Sequence, residues 1–217
     1  MLIEKTNFKD LIIVRSPIYM DRRGFFKEIY KRKILKKELI FDCLSYSKKN
    51  TIRGLHFQNH PNGQGKLVRV TKGSVIDVAL DIRKESKTYG KHFKYKLSDK
   101  NATMIWIPYG FAHGFIALED QTVFQYKCDA LYNRESEGCI IWNDPFLGID
   151  WEIKNPIVSP KDKEGKLFID VNKAFTVFTA VLIVACPCAL ALSAPFTLGN
   201  VLRIMGKRKL YLKNATV

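Results

Sequence analysis

Nine short runs of β-branched and aromatic residues follow one another between Leu11 and Cys128. Glycine, proline, asparagine and aspartate separate these runs, a pattern typical of short strands joined by turns. This spacing favours an all-β fold, an antiparallel sandwich or a small barrel, over βαβ units. The predicted strands are Leu11–Val14, Phe25–Tyr30, Thr51–Phe57, Lys66–Thr71, Val75–Ile82, Phe93–Leu97, Met104–Ile107, His113–Leu118 and Thr122–Cys128.

Two short helices are predicted beside the strands, one near Lys31–Leu39 and a weaker one at Tyr132–Glu137. The first begins with a basic run that could form a nucleic-acid patch. No nucleic-acid-binding motif accompanies the run, so we interpret it as the solvated face of a helix and predict no nucleic-acid partner. Within one predicted strand, Asp77 and Asp81 are spaced to share a face.

Length, cysteine content and charge set the broad class. The 217 residues suffice for one domain with a sizeable core. The chain opens with mixed charged and polar residues rather than a secretory signal, and its five cysteines form no closely spaced framework, so we expect a cytoplasmic protein with reduced thiols. Six of the 36 basic residues and none of the 21 acidic ones lie from Val171 onward, so the part of the chain before Val171 carries a net charge of +9, which suits an anionic ligand.

The composition changes near residue 171. No charged residue occurs anywhere from Ala174 to Leu202. This uncharged run is longer than the roughly 20 apolar residues that a helix needs to cross a bilayer. We therefore predict two parts, a domain at 1–170 and an apolar helix with a basic end at 171–217, and we expect membrane contact only through 174–202.

The four histidines are His56, His60, His92 and His113. His56 and His113 follow glycine-containing turns in predicted strands, and a barrel can direct two such side chains into one opening. A lone histidine is more often a core or surface residue. His56 and His60 have helical spacing, but a zinc or iron site needs a third ligand that the sequence does not supply, so no metal is predicted.

Seven motifs occur in a fixed order between residues 2 and 168. They are Asp21–Glu28, Ser45–Gln58, Gln64–Val68, Asp77–Arg83, Ile107–Phe115, Trp142–Pro145 and Ser159–Asp162. This series resembles the dTDP-4-dehydrorhamnose 3,5-epimerases, which are cupin-like jelly-roll proteins. The resemblance implies an all-β jelly-roll barrel with a few short helices. It also implies a homodimer in which exchanged N-terminal strands bring an aromatic side chain into the neighbour's pocket.

The resemblance further implies a reaction, the conversion of dTDP-4-dehydro-6-deoxy-D-glucose to dTDP-4-dehydro-L-rhamnose in dTDP-L-rhamnose biosynthesis. The ketone of such a 4-keto-6-deoxy sugar acidifies the hydrogens on both flanking carbons. A base removes one, an enolate forms, and an acid returns a proton to the opposite face. A cation at the enolate oxygen lowers its energy, and no cofactor is required.

Four residues match the family's catalytic set. His56 matches the base, a role that suits a histidine because its pKa lies near working pH, and Asp162 matches the carboxylate that orients the ring. Lys66 matches the cation facing the keto oxygen. Tyr126 matches the proton donor, although without the family match it would be interpreted as a barrel tyrosine.

The family's substrate contacts are matched by Arg23, Phe25, Glu28, Arg53, Lys66, His113, Tyr132, Glu137 and Lys161. The resemblance assigns Arg23, Arg53 and Lys161 to the diphosphate and sugar, and Phe25 and Tyr132 to the thymidine base. The other matches are polar contacts.

The chain departs from the family pattern at two positions. The family often carries a glutamine and an asparagine, two apart, that hydrogen-bond to the ligand. Here Phe41 and Cys43 stand in those places. The departure leaves the nucleotide and sugar preference open.

The segment Val181–Leu192 resembles the Cys-Pro-Cys membrane helix of heavy-metal P-type ATPases. Its thiols, Cys186 and Cys188, suit Cu(I) or Zn(II) in transit. The ATPases' phosphorylation loop, nucleotide domain and other spans are missing from the sequence, so transport is not predicted. We interpret residues 171–217 as a fused or artefactual fragment, with a membrane anchor as the alternative.

Other functions stay open for the first domain. One alternative is a single-carbon epimerase acting on a related nucleotide sugar. Others are a non-catalytic sugar-nucleotide-binding cupin and a metal-dependent cupin oxygenase. The combination of His56, Lys66, Tyr126 and Asp162 favours the epimerase, because each supplies one function that the reaction needs.

Overall fold

The computed structural model describes residues 1–171. The apolar helix predicted at 174–202, and its resemblance to a Cys-Pro-Cys membrane helix, lie outside the described residues. A first compact unit runs from Met1 to Phe168. Within residues 1–171, no helix is long and apolar enough to span a bilayer.

The regular secondary structure of the described chain consists almost entirely of strands, which confirms the predicted all-β class with a few short helices. The strands are β1 (Leu2–Lys5), β2 (Ile12–Arg15), β3 (Ile18–Asp21), β4 (Gly24–Lys27), β5 (Phe41–Ser47), β6 (Thr51–Gln58), β7 (Lys66–Lys72), β8 (Ser74–Asp81), β9 (His92–Ser98), β10 (Met104–Ile107), β11 (Phe111–Ala117), β12 (Thr122–Cys128), β13 (Glu137–Cys139) and β14 (Ile157–Val158). The helices are α1 (Arg32–Leu35) and α2 (Pro160–Lys163).

Two sheets carry most of the strands. The first has the order β1-β2-β10-β7-β12-β5, and the second has the order β13-β6-β11-β8-β9, with β14 added parallel to β6. Strands β3 and β4 form a separate two-stranded hairpin. The arrangement is consistent with the cupin-like jelly roll that the resemblance implies.

The hydrophobic core draws on both sheets, as expected when two sheets bury their inner faces. From the first sheet, Val68, Val70 and Phe124 are almost completely buried, and they belong to the same cluster as Phe111 and Phe115 of the second sheet. This core fixes the inner faces on which the polar side chains of the cavity stand.

The helix predicted at Tyr132–Glu137 is wrong. The backbone there forms a turn that leads into β13. The side-chain oxygen of Asn133 accepts a hydrogen bond from the backbone N–H of Ser136 at 2.9 Å, an alternative to helical pairing that asparagine often provides. The other predicted helix is present but shorter, because the chain turns left-handed at Lys36 (φ 54°).

Candidate active site

A cavity of about 260 Å³ is lined by side chains from both sheets and from the region of α2. Strands β5, β7 and β12 of the first sheet contribute, as do β6 and β11 of the second. The lining residues are Ser45, Arg53, His56, Lys66, His113, Phe115, Phe124, Tyr126, Ser159, Lys161 and Asp162. A concave site with a few convergent polar groups is the usual form of a small-molecule site.

His56 and Asp162 form a hydrogen-bonded pair in this cavity. Nε2 of His56 lies 2.7 Å from Oδ1 of Asp162, whose side chain is only 4% exposed. The other carboxylate oxygen accepts a hydrogen bond from the backbone N–H of Gly54 at 3.2 Å. Because Asp162 occupies Nε2, Nδ1 is the ring nitrogen available to a ligand.

The local sequence holds Asp162 in place. Ser159 caps α2, its hydroxyl accepting the backbone N–H of Asp162 at 3.1 Å, and Pro160 occupies the first helical position, where proline is favoured. Burial alone would raise the pKa of Asp162, but hydrogen bonds from His56, Gly54 and Ser159 and the nearby imidazole together lower it. The carboxylate is therefore anionic at neutral pH.

Tyr126 and Lys66 line the same cavity from the first sheet. The ammonium of Lys66 lies 6.0 Å from the centre of the Tyr126 ring. Burial, followed by the neighbouring thiols Cys43 and Cys128, raises the pKa of Tyr126 to about 12, so the phenol keeps its proton at neutral pH. Burial lowers the pKa of Lys66, an effect that nearby acidic groups partly oppose.

A second histidine–carboxylate pair lies beside the first. Nε2 of His113 is 2.7 Å from Oδ2 of Asp77, and both side chains are buried. The imidazole of His113 stacks on Phe124, with ring centres 5.9 Å apart. Oδ1 of Asp77 is buried and makes no hydrogen bond within the described part of the chain.

Two glycines allow the strands that carry the histidines to meet closely. A Cβ on Gly54 would lie 2.6 Å from Cα of Gly114 and 2.6 Å from the carbonyl oxygen of His113, and Gly54 has φ +115°. A side chain would not fit there. As a result, His56 and His113 are direct partners across β6 and β11 and present their side chains on one face.

A cluster of three predicted residues completes one edge of the site. Glu137 accepts hydrogen bonds from Lys161 at 2.6 Å and from the hydroxyl of Tyr132 at 2.9 Å. Burial acts to raise the pKa of Glu137, but these two donors and the nearby His56 outweigh it and lower the pKa. Lys161 also lines the cavity and is therefore a cation at its rim.

Arg53 supplies a further cation in the cavity lining. Its guanidinium donates to the hydroxyl of Ser47 at 3.1 Å and to the backbone carbonyl of Tyr46 at 2.9 Å. These bonds fix the planar group, which is suited to binding phosphate oxygens in pairs.

Comparison with known proteins decides the family. The model of the dTDP-4-dehydrorhamnose 3,5-epimerase family matches residues 5–170. The chain belongs to this family. It is accordingly an isomerase of the epimerase type.

Two of its relatives illustrate the similarity. A dTDP-4-dehydrorhamnose 3,5-epimerase from Salmonella typhimurium is 44% identical over 174 residues, which cover 77% of this chain and 95% of that protein. A crystal structure of dTDP-6-deoxy-D-glucose-3,5-epimerase from Legionella pneumophila, in complex with dTDP-4-keto-L-rhamnose, is 42% identical with a TM-score of 0.74, covering 77% of this chain and 93% of that one.

The enzyme from Bacillus anthracis, crystallised with TDP and PPi bound, is 39% identical with a TM-score of 0.75. The match covers 76% of this chain and 98% of that one. The family model ends at residue 170, so the ATPase-like fragment predicted after that residue receives no support from it.

Three of the residues predicted from the epimerase family do not line the cavity of this single chain. Arg23 pairs with Asp21 at 2.6 Å, and its side chain is 84% exposed. Phe25 is 66% exposed on β4 of the hairpin, and Glu28 pairs with Lys31 at 2.6 Å. The other predicted site residues of this epimerase lie in the cavity lining or in the adjoining Glu137 cluster.

Several residues in or beside the cavity of this epimerase were not among the predicted site residues. Ser45 and Phe124 line it, and Asp77 binds His113. Ser159 had a usable signal, since serine followed by proline marks a helix start. Cys139 had none, because only strand pairing places it opposite His56.

The two positions that depart from the family pattern lie on β5. Cys43 is half-buried and pairs with Tyr126 across β5 and β12, while Phe41 pairs with Cys128. A thiol thus stands directly beside the phenol in this epimerase.

Proposed function

We propose that this chain catalyses the 3,5-epimerisation of dTDP-4-dehydro-6-deoxy-D-glucose to dTDP-4-dehydro-L-rhamnose, without a cofactor. The observation that carries the proposal is one cavity that combines the His56–Asp162 pair with Tyr126 and Lys66 from the facing sheet. A base and an acid on separate walls are what inversion at a carbon requires.

The proposed reaction begins at the carbon next to the ketone. Nδ1 of His56 removes the hydrogen from C5 or C3, and the anionic Asp162 stabilises the resulting imidazolium through Nε2. The electron pair moves to the keto oxygen, where the ammonium of Lys66 stabilises the enolate. Tyr126 then donates its proton to the opposite face of the ring. Solvent takes the proton from His56 and returns one to Tyr126, and repetition at the other carbon completes the reaction.

The charge distribution supports a nucleotide diphosphate as the anchoring part of the substrate. Arg53 and Lys161 both line the cavity, and the part of the chain before Val171 carries a surplus of positive charge. The His113–Asp77 pair has a hydrogen-bonding capacity that suits the sugar hydroxyls. Held at these points, the substrate would present its keto carbon between the two sheets.

We infer that the active form is a homodimer in which the hairpin of one chain completes the cavity of the other. The β3–β4 hairpin presents large apolar side chains to solvent: Tyr19 is 57% exposed, Met20 72%, and Phe25 and Phe26 66% each. Tyr19 pairs with Phe26 and Met20 with Phe25, so both faces of the hairpin expose apolar side chains, and exposed apolar surface of this kind usually marks an interface. An interface at the hairpin would bring Arg23 and Phe25 to a partner's nucleotide site. Neither residue lines the cavity of its own chain.

A test of the dimer combines mass measurement with activity. Light scattering should give twice the chain mass for the wild type, and replacing Phe25 and Phe26 together by serine should produce monomers with a raised KM. A wild-type monomer with full activity would contradict the dimer.

The substitutions at Phe41 and Cys43 favour one second candidate, an epimerase that acts on a single carbon or on a related nucleotide sugar. Both residues lie on β5, which contributes Ser45 to the cavity. Loss of two amides there would remove hydrogen bonds that fix the sugar. Solvent-deuterium labelling distinguishes the candidates, because the 3,5-epimerase labels both C3 and C5.

The experiment for the proposed base compares two histidines. The His56→Ala variant should lose solvent-deuterium exchange into the substrate, whereas His60→Ala should retain it, because His60 does not line the cavity. Equal exchange in both variants would contradict the assignment of His56.

We also propose that residues 1–170 suffice for the reaction and form a cytoplasmic enzyme. The family model ends at residue 170, and the compact unit ends at Phe168. A chain ending at Asp170 should match the full chain in exchange rate. Sedimentation of only the full chain with membranes would support an anchoring role for residues 171–217.

A further inference from the structure

The His56–Asp162 pair has a third potential metal ligand next to it. Cys139 is the direct strand partner of His56 across β13 and β6, so both side chains stand on one face of the sheet. A ring nitrogen of His56, Sγ of Cys139 and a carboxylate oxygen of Asp162 all lie within 4.8 Å of one another. The sequence did not reveal this ligand, because nothing in a linear pattern places residue 139 opposite residue 56.

The three donor atoms suit one class of metal ion. Nitrogen, thiolate sulfur and carboxylate oxygen are the ligands of tetrahedral Zn²⁺, at about 2.0–2.3 Å from the ion. In such a site the donor atoms stand roughly 3.3–3.8 Å apart, so on metal binding the 2.7 Å contact between His56 and Asp162 must lengthen to admit the ion. Thiolate and carboxylate together balance the charge of the ion.

The surroundings favour a metal over a purely structural thiol. The Cys139 thiol makes one weak hydrogen bond, to the carbonyl of Ile140 at 3.7 Å. Asp162 is buried, while His56 borders the open cavity. Three protein ligands are the number found in zinc sites that keep a fourth position for water.

We propose that Zn²⁺ binds to His56, Cys139 and Asp162 and thereby inhibits the enzyme. The predicted inhibition rests on the proposed function, in which Nδ1 of His56 is the base. The metal site itself does not depend on that function. When the ion takes Nε2, the ring proton must reside on Nδ1, which can then no longer accept a proton from the sugar. The thiol proton of Cys139 is released to solvent, so one proton leaves for each ion bound.

The hard cations serve as a specificity control. Mg²⁺ and Ca²⁺ prefer oxygen ligands and do not bind readily to a site with one imidazole and one thiolate. We expect Zn²⁺ and Co²⁺ to bind and Mg²⁺ to leave the exchange rate unchanged. Equal inhibition by Mg²⁺ would overturn the site.

Cobalt absorption tests the site without any activity measurement. The full chain should carry Cys186→Ser and Cys188→Ser, because those two thiols are themselves candidate ligands. Added Co²⁺ should give a thiolate-to-cobalt charge-transfer band and strong tetrahedral visible bands. Both should be lost with Cys139→Ser and kept with Cys43→Ser, the matched half-buried thiol. No band, or a band that survives Cys139→Ser, would overturn the proposal.

Alkylation provides a second measurement that needs no variant of Cys139. In the same background, Zn²⁺ should slow iodoacetamide labelling of Cys139, measured by mass spectrometry, and leave Cys43 labelling unchanged. Unaltered labelling of Cys139 at saturating Zn²⁺ would contradict the site.

Inhibition connects the site to the reaction. The zinc inhibition constant should rise by at least about tenfold in Cys139→Ser, each variant being compared with its own metal-free rate. A cobalt band in a protein that never exchanges deuterium would refute the proposed function and leave the metal site standing. Exchange with no Cys139-dependent band would refute the metal site alone.

Discussion

Nε2 of His56 and Oδ1 of Asp162 lie 2.7 Å apart, although 106 positions separate them in the chain. Strand β14 creates this contact, because it runs parallel to β6 and pairs Val158 with Ile52. The chain then turns at Ser159 into α2, which places Asp162 beneath the imidazole. Strand β14 thus positions the carboxylate of Asp162 beside the imidazole of His56, the proposed base.

This pairing predicts a large effect of Asp162→Asn. The amide cannot stabilise the imidazolium that forms when His56 accepts a proton. We expect kcat to fall by roughly 10²–10⁴-fold, with a much smaller change in KM, measured by steady-state epimerisation. Glu164→Gln, an exposed change at the end of the same helix, is the matched control. Similar rates in the two variants would contradict the role of Asp162.

Tyr126→Phe separates proton removal from inversion. His56 can still remove the proton and return one from solvent to the same face. We therefore expect deuterium to enter with retained configuration, while epimerisation falls by roughly 10²–10⁴-fold. NMR of the labelled sugar measures both. Tyr95→Phe, which alters a tyrosine that bonds Arg15 outside the cavity, should behave as wild type. Undiminished inversion in Tyr126→Phe would exclude Tyr126 as the donor.

Lys66 sets the expected alkaline limit of activity. Burial lowers its pKa below the ordinary 10.5, so the ammonium loses its proton, and with it the enolate stabilisation, at a lower pH than an exposed lysine would. Tyr126, with its pKa at about 12, stays protonated through that range. On the alkaline side, the decline of the rate should therefore begin at a pH lower than 10.5. The Lys66→Met variant should have a kcat that is lower by roughly 10²–10³-fold.

The Lys66→Arg variant tests whether deprotonation of Lys66 sets the alkaline limit. An arginine keeps its charge at alkaline pH, so any remaining activity should persist further into that range. A profile that falls at the same pH in the wild type and in Lys66→Arg would assign the limit to another group.

Gly54→Ala should destabilise the fold and disturb both histidines. The added methyl would overlap Gly114 and the carbonyl of His113, at a backbone φ that side chains rarely adopt. We expect a loss of roughly 3 kcal/mol in the free energy of unfolding, measured by urea denaturation. Gly148→Ala, where φ is also positive but nothing lies within 4 Å, should cost only about 1 kcal/mol. Equal losses would contradict the importance of this close approach.

The sequence predicted the central strands well but missed five strands, β1, β3, β5, β13 and β14. The bounds of β10 and β12 were predicted correctly, because runs such as Met104–Ile107 are apolar and well delimited. Strand β5 was missed because its pattern is inverted. Its inward side chains include Cys43, which is half-buried, and Ser45, which lines the polar cavity, while Leu44 and Tyr46 face solvent.

The site depended on information that a single sequence does not contain. Without the family resemblance, His56 was an ordinary histidine, since no pattern connects it to Asp162. Arg23 and Phe25 stand away from the cavity of their own chain, and a single chain cannot predict what a partner would bring. Cys139 became visible only through the register of β13 on β6.

The most direct test of the central claim is NMR of dTDP-4-dehydro-6-deoxy-D-glucose incubated with the full chain in D₂O. We predict deuterium at both C3 and C5, inverted configuration at both carbons, and loss of all labelling in His56→Ala. Label at one carbon only would identify a single-carbon epimerase. Labelling that persists in His56→Ala would contradict the assignment of His56 as the base.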